Sequence, residues 1–226
     1  MKKILSLILA FLIVFTITGC GSAKPADEKA SAESEKIAKD YVYTTVKNEY
    51  ILLTIYKGKD KNIKIPKKIN GLPVKTIGSN CFASTEIETV TVPDSVTEIW
   101  DSAFLQCKNL SKITLSKNLT AIAPKTFEGC TALKDIKIPE KVTVIDAYAF
   151  FECTSLTKLT LPKSVTNVGT YAFSNSGITE LKFLSDAPST IGNDIIDKKD
   201  GVTIYHPSDA LGWDDKKLEG YNLSTY

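Results

Sequence analysis

The sequence predicts a solenoid, mostly β with short helical or 3-10 turns, built from five stacked repeats of about 23 residues and capped at both ends. Three observations predict it. A phenylalanine recurs as Phe82, Phe104, Phe127, Phe150 and Phe173, spaced 22, 23, 23 and 23. An aliphatic residue stands five places before each one: Ile77, Ile99, Ile122, Ile145 and Val168. After each phenylalanine comes an apolar pair at period two: Val90/Val92, Ile113/Leu115, Ile136/Ile138, Leu159/Leu161 and Leu181/Phe183. A repeat of this size cannot bury its apolar face alone, whereas stacking makes one continuous core in which each repeat touches its neighbours.

Residues 1–19 read as an export signal. Lys2 and Lys3 are followed by the apolar run 4–17, interrupted only by Ser6 and Thr16. As a helix this run is too short to cross a hydrocarbon layer, which takes about 20 residues, and it fits the apolar region of a secretory signal. Next comes Ile17-Thr18-Gly19-Cys20. That order resembles the bacterial lipobox, and the resemblance implies a covalent diacylglyceryl lipid on Cys20, cleavage before it, and a lipid-anchored protein on the outer face of the bacterial cytoplasmic membrane or at the cell surface. Two acyl chains suffice for stable anchoring where one does not.

Residues 20–40 carry the lipidated cysteine and a tether, small and charged with almost no large apolar residue. Such composition forms no core and reads as coil or transient helix, spanning roughly 25 Å as a coil. Residues 41–64 read as a capping hairpin, YVYTTV and YILLTIYKG around a turn near Lys47, Asn48 and Glu49. The repeats occupy 65–184. In them four of the five β-runs end at Pro93, Pro139 or Pro162, or at Ser116 in their place, and a V-T-x-I segment and a compact turn follow. Glycine after the aliphatic residue, Gly78 and Gly169, suggests a left-handed or tight turn, so the turns with Trp100, Ala123 and Asp146 there are expected to be distorted. Residues 185–226 read as the second cap, with a last strand through Val202-Thr203-Ile204-Tyr205 and Trp213 tucked beneath a short helical turn.

The segments LPKSVTNVGTYAFSNSGITELKF and IPEKVTVIDAYAFFECTSLTKLTLP resemble the BspA-like leucine-rich repeat of bacterial surface proteins, leucine-rich repeat family 5. The resemblance spans about Ile65 to Phe183 and implies a leucine-rich repeat solenoid. Similar repeat proteins are associated with adhesion to extracellular proteins and to other cells, so the resemblance implies a protein- or polymer-binding module.

Catalytic chemistry is not legible. His206 is the one histidine and stands beside Pro207, without the partners a metal or a general base needs. No nucleophile elbow, zinc-protease motif or phosphate loop occurs, and no enzyme or cofactor is expected. Cys107, Cys130 and Cys153 each lie three residues after a ladder phenylalanine and Cys81 one residue before its own, which reads as a row of small buried residues rather than disulfides. The acidic pairs near Asp197, Asp200, Asp214 and Asp215 alternate with lysines and read as solvated charge. Without Lys2 and Lys3 the chain carries 26 basic and 26 acidic side chains. That balance gives no basic stripe for a nucleic acid.

Surface remains. The outward residues of the β-runs form two columns: Thr89, Lys112, Asp135, Lys158 and Glu180, and beside them Thr91, Thr114, Lys137, Thr160 and Lys182. The candidate binding face consists of Lys112, Asp135, Lys158, Glu180, Thr114, Lys137, Thr160 and Lys182, because stacked repeats present extended surfaces to protein or envelope and host polymer partners. Against this stands the plain reading of any solvated sheet face, rich in Thr because Thr favours strands. Tyr148 and Tyr171, two residues before their phenylalanines, mark a second surface, either as exposed anchors or as partly packed rings. Two functions follow as expectations: a non-enzymatic binding lipoprotein outside the cell, or a structural envelope component without a soluble ligand.

Overall fold

The computed structural model describes residues 25–198, 201–214 and 218–226. The export signal, the lipobox and Cys20 lie outside the described residues, as do Lys199, Asp200, Asp215, Lys216 and Lys217. In chain order the elements begin with α1 (Pro25–Asp40), β1 (Tyr41–Val46), β2 (Tyr50–Tyr56), β3 (Asn62–Lys64), β4 (Lys68–Ile69) and β5 (Leu72–Ile77). The repeats continue as β6 (Thr89–Thr91), β7 (Glu98–Ile99), β8 (Lys112–Thr114), β9 (Ala121–Ile122) and β10 (Val144–Ile145). They close with β11 (Lys158–Leu161), β12 (Asn167–Val168), β13 (Glu180–Phe183), β14 (Thr190–Ile191), β15 (Thr203–His206) and β16 (Leu223–Thr225).

Alternation of apolar and polar residues puts each repeat on two parallel ladders. The period-two pairs form one, in sheets ordered β3-β6-β8 and β11-β13-β15-β16. The V-T-x-I segments form the other, through β2, β5 and β7 and then β9, β10, β12 and β14. Between the ladders lies a single core of aliphatic side chains and the five fully buried phenylalanines. Neighbouring phenylalanine rings stack 5.0, 5.6, 5.4 and 5.9 Å apart with interplanar angles of 7–21°, within the range for stacked aromatic pairs.

Three expectations change. The solenoid has more turns than five, because Ile191 and Ile196 take the aliphatic and phenylalanine places of a sixth copy and Phe173 donates its amide to the Ile195 carbonyl at 2.7 Å. Within the repeats the compact turns are β-turns, with i to i+3 bonds such as Cys81 N to Gly78 O (3.2 Å) and Thr85 N to Phe82 O (3.2 Å). And the left-handed positions are not the glycines after the aliphatic residue. They lie two before and two after the ladder phenylalanine: Asn80 and Ser84, Ser102 and Gln106, Lys125 and Gly129, Tyr148 and Glu152, Tyr171 and Asn175. The glycine answers to closeness instead, since a Cβ on Gly169 would sit 2.3 Å from the Ala147 nitrogen.

Both ends of the core are covered. The antiparallel pair β1 and β2 turns through Lys47 and Asn48, both with positive φ. Its Tyr56 ring lies 5.2 Å from Phe82 and takes the first place in the aromatic stack. Helix α1 forms where coil or transient helix was expected, and its last turn is fastened: Ile37 rests on the core and Lys36 pairs with Asp40 and Asp60, both at 2.7 Å. At the other end Trp213, 6% exposed, lies flat on His206 (4.7 Å, 5°) and edge-on to Phe183 (4.9 Å).

Candidate binding face

Parallel register brings the two predicted columns into line. Thr89 pairs with Lys112, and a single bridge leads from Lys112 to Asp135. Lys158 then pairs with Glu180 and Glu180 with Thr203. In the second column Thr91 pairs with Thr114, and beyond Lys137 Thr160 pairs with Lys182 and Lys182 with Tyr205. Lys112, Thr114, Asp135, Lys137, Lys158 and Thr160 are exposed, while Glu180 and Lys182 are half-buried.

One rung breaks the sheet. Ile136 and Ile138 are buried like their counterparts, yet residues 136–139 carry no strand pairing, and the rung is joined to the preceding one by the bridge from Lys112 to Asp135 and the bond from Lys134 N to Ser111 O at 3.4 Å. The strand expected there is therefore absent. Over the break lies a cleft of about 630 Å³, lined among others by Lys112, Thr114, Lys117, Lys137, Lys141 and Glu140. It shares Asp135, Ile136, Lys137 and Glu140 with a second cleft of about 400 Å³. This one shares Lys158 and Thr160 with a third of about 400 Å³ that ends at Tyr205 and Tyr226. The three form one trough along the strand face.

Charge is distributed unevenly along it. Lys158 is engaged by Glu180 at 2.6 Å, and the Lys182 ammonium lies 3.4 Å over the Tyr226 ring. Lys117 pairs with Asp94 at 2.9 Å and holds the Asp94 carboxyl below its ordinary value. Lys141 donates to the Asn118 side-chain Oδ1 at 2.9 Å. Lys112, Lys137 and Asp135 take part in no ion pair among the described residues.

Tyr205 and Tyr226 were not among the predicted face residues. The signal for Tyr205 was present, because it follows Lys182 by one repeat of 23. Tyr226 comes to the face through β16, which pairs with β15, and its hydroxyl donates to the Phe183 carbonyl at 3.0 Å; no periodicity announces it.

The other singled-out residues sit elsewhere. His206 is buried under Trp213 and its Nδ1 lies 3.0 Å from the Pro207 carbonyl. Cys107, Cys130 and Cys153 are free thiols whose Sγ atoms donate to the carbonyls of Phe82, Phe104 and Phe127 at 3.0, 3.2 and 3.1 Å. Each therefore covers the phenylalanine carbonyl of the preceding turn. Tyr148 and Tyr171 meet at 5.3 Å on the turn side, both half-buried. Among the described residues no cluster of metal-binding side chains occurs and no helix is long and apolar enough to cross a membrane.

Comparison with known proteins agrees with this architecture. The family model of the BspA type leucine-rich repeat region matches residues 75–202 in six copies. A leucine-rich repeat protein of T. pallidum superposes with a TM-score of 0.62 at 29% identity, over 66% of this chain and 72% of its own. A leucine-rich cell surface protein of Faecalibacterium prausnitzii superposes with a TM-score of 0.61 at 26% identity, over 76% of this chain and 54% of that one, so the chain spans about half of it. No curated protein matches.

Proposed function

The chain belongs to the BspA-type leucine-rich repeat family, whose model covers more than half of it, and from that premise we propose a non-enzymatic binding lipoprotein that holds a protein or polymer partner on its strand face outside the cell. One observation carries the reading: the trough made of three clefts that share lining residues, from Lys117 past Lys137 and Thr160 to Tyr226. Concave, extended sites of this kind are how repeat proteins bind without a reaction centre. The anchor is the lipid expected on Cys20, and α1 with the residues before it joins that anchor to the capped end of the stack. Adhesion is the role that fits anchor, arm and trough together.

Proximity labelling on intact cells tests the reading. The full chain is expected to label a reproducible neighbour that is lost when Thr114→Arg and Thr160→Arg fill the trough and kept when the turn-side Lys108→Glu is introduced. Identical neighbour sets for all three proteins would leave only a structural envelope role. Cys20→Ser is expected to move the protein out of the membrane fraction, and its retention there would remove the lipid anchor from the proposal.

A further inference from the structure

Resting on that reading of the strand face, we infer that the trough takes an extended acidic polypeptide segment of its partner, seated at the broken rung 135–138. The rung differs from its neighbours in pairing. Elsewhere on this face three or four residues per rung join the next strand, but here one bridge does. The break leaves β8 and β11 as edge strands of separate sheets, and a sheet edge is where recognition by strand addition takes place. The largest of the clefts lies directly over the break.

Its charge points to an acidic occupant. Lys112, Lys117, Lys137 and Lys141 face two carboxylates, Asp135 and Glu140, in a protein whose side chains otherwise balance. Among the described residues Lys112 and Lys137 take part in no ion pair, whereas Lys117 is engaged by Asp94 and the lysines further along by Glu180 and Tyr226. With Lys117 set against Asp94, Lys112, Lys137 and Lys141 outnumber Asp135 and Glu140 by three to two, so the face keeps a small positive excess at the place where its backbone is unpaired. Beneath the lysines the cleft is apolar, with Leu115, Ile136 and Pro139 in its lining. A polypeptide in extended form turns successive side chains to opposite sides, so an acidic and apolar alternation matches lysines above and aliphatic carbons below. A polyanionic polysaccharide would use the lysines and leave the apolar floor and the unpaired rung without a partner.

Fluorescence anisotropy of the full chain in detergent tests this with a labelled peptide alternating Glu and Val, the same peptide with Lys for Glu, and dextran sulfate. The Glu peptide is expected to bind saturably and the Lys peptide not to bind. Lys112→Glu with Lys137→Glu should weaken binding at least about tenfold, as reversing close charge pairs does, while Lys108→Glu leaves it unchanged. Methylating alternate amides of the Glu peptide should weaken it as well. Absence of binding overturns the inference, as does indifference to the two reversals. Equal affinity for dextran sulfate with no effect of amide methylation would make the site a charge patch for polyanions. A cellular neighbour lost with Thr114→Arg and Thr160→Arg but kept with the lysine reversals would leave the strand face standing and remove its acidic occupant.

Discussion

Left-handed backbone at two places in each of the five phenylalanine turns lets the amides of those residues point along the stack. Phe104 donates to the Thr126 carbonyl at 3.0 Å, and the left-handed Ser102 and Gln106 on either side donate to Pro124 and Glu128 at 2.9 and 2.7 Å. Each such residue other than glycine costs on the order of 1 kcal/mol, and a complete hydrogen-bond ladder on the turn side offsets it. The glycines serve another end. On Gly169 a methyl group would meet the backbone of Asp146 and Ala147 at 2.3–2.8 Å, so Gly169→Ala should lower stability by roughly 1–3 kcal/mol in urea unfolding, against no change for the exposed Lys163→Ala. Equal midpoints would mean the turns are not closely stacked there. Burial pushes the Cys81 and Cys153 thiols up to about 12 and raises Cys130 well above its ordinary value. Few thiolates exist near neutral pH, so in the native protein Cys81, Cys107, Cys130 and Cys153 should resist iodoacetamide at about pH 8 and react once the chain is unfolded. Because the folded values are raised, the unfolded chain loses these protons first. The associated stability is full below the ordinary value of 9.0 and declines as pH climbs to about 12. Replacing Cys153 with Ala should flatten that alkaline decline, and an unchanged slope would contradict it.

At the scale of elements, each strand answers mainly to its neighbours, so damage should stay local. Truncating Trp213, which closes the stack on His206 and Phe183, should cost about 3–5 kcal/mol at that end. Hydrogen exchange in Trp213→Ala should accelerate in β13, β15 and β16 and leave β6 and β8 as they were; uniform acceleration would show that the stack unfolds as one unit. The same locality explains what could be read in advance. Five phenylalanines in register and the apolar pairs after them disclose the ladders, because a side chain's face depends on its place in the repeat alone. The sixth turn was hidden by Ile196 in place of phenylalanine, which breaks the pattern while preserving the packing. The broken rung was hidden for the opposite reason: Ile136 and Ile138 look like every other pair, and loss of pairing is a property of two adjacent rungs together. Glycine misled because a close approach between turns leaves no mark distinguishable from a left-handed bend. The two polar columns were visible residue by residue, but the trough that joins them depends on depth between rungs, which no single position encodes.

Across the whole molecule, the chain is one stack with its two ends differently finished. A hairpin and the last turn of α1 close the end nearest the expected lipid, and a tryptophan on a histidine closes the other. Between them the core contains no boundary at which one half could separate from the other, and the strand face inherits that continuity. This architecture also governs what happens under load. Each turn grips only the turns beside it, so a pull on the ends of the chain is resisted by one rung at a time. Peeling a turn of about 23 residues releases on the order of 75 Å of extended chain, after which the next turn takes up the tension. Such an arm would yield to traction by lengthening in steps while the rest of the stack keeps its shape.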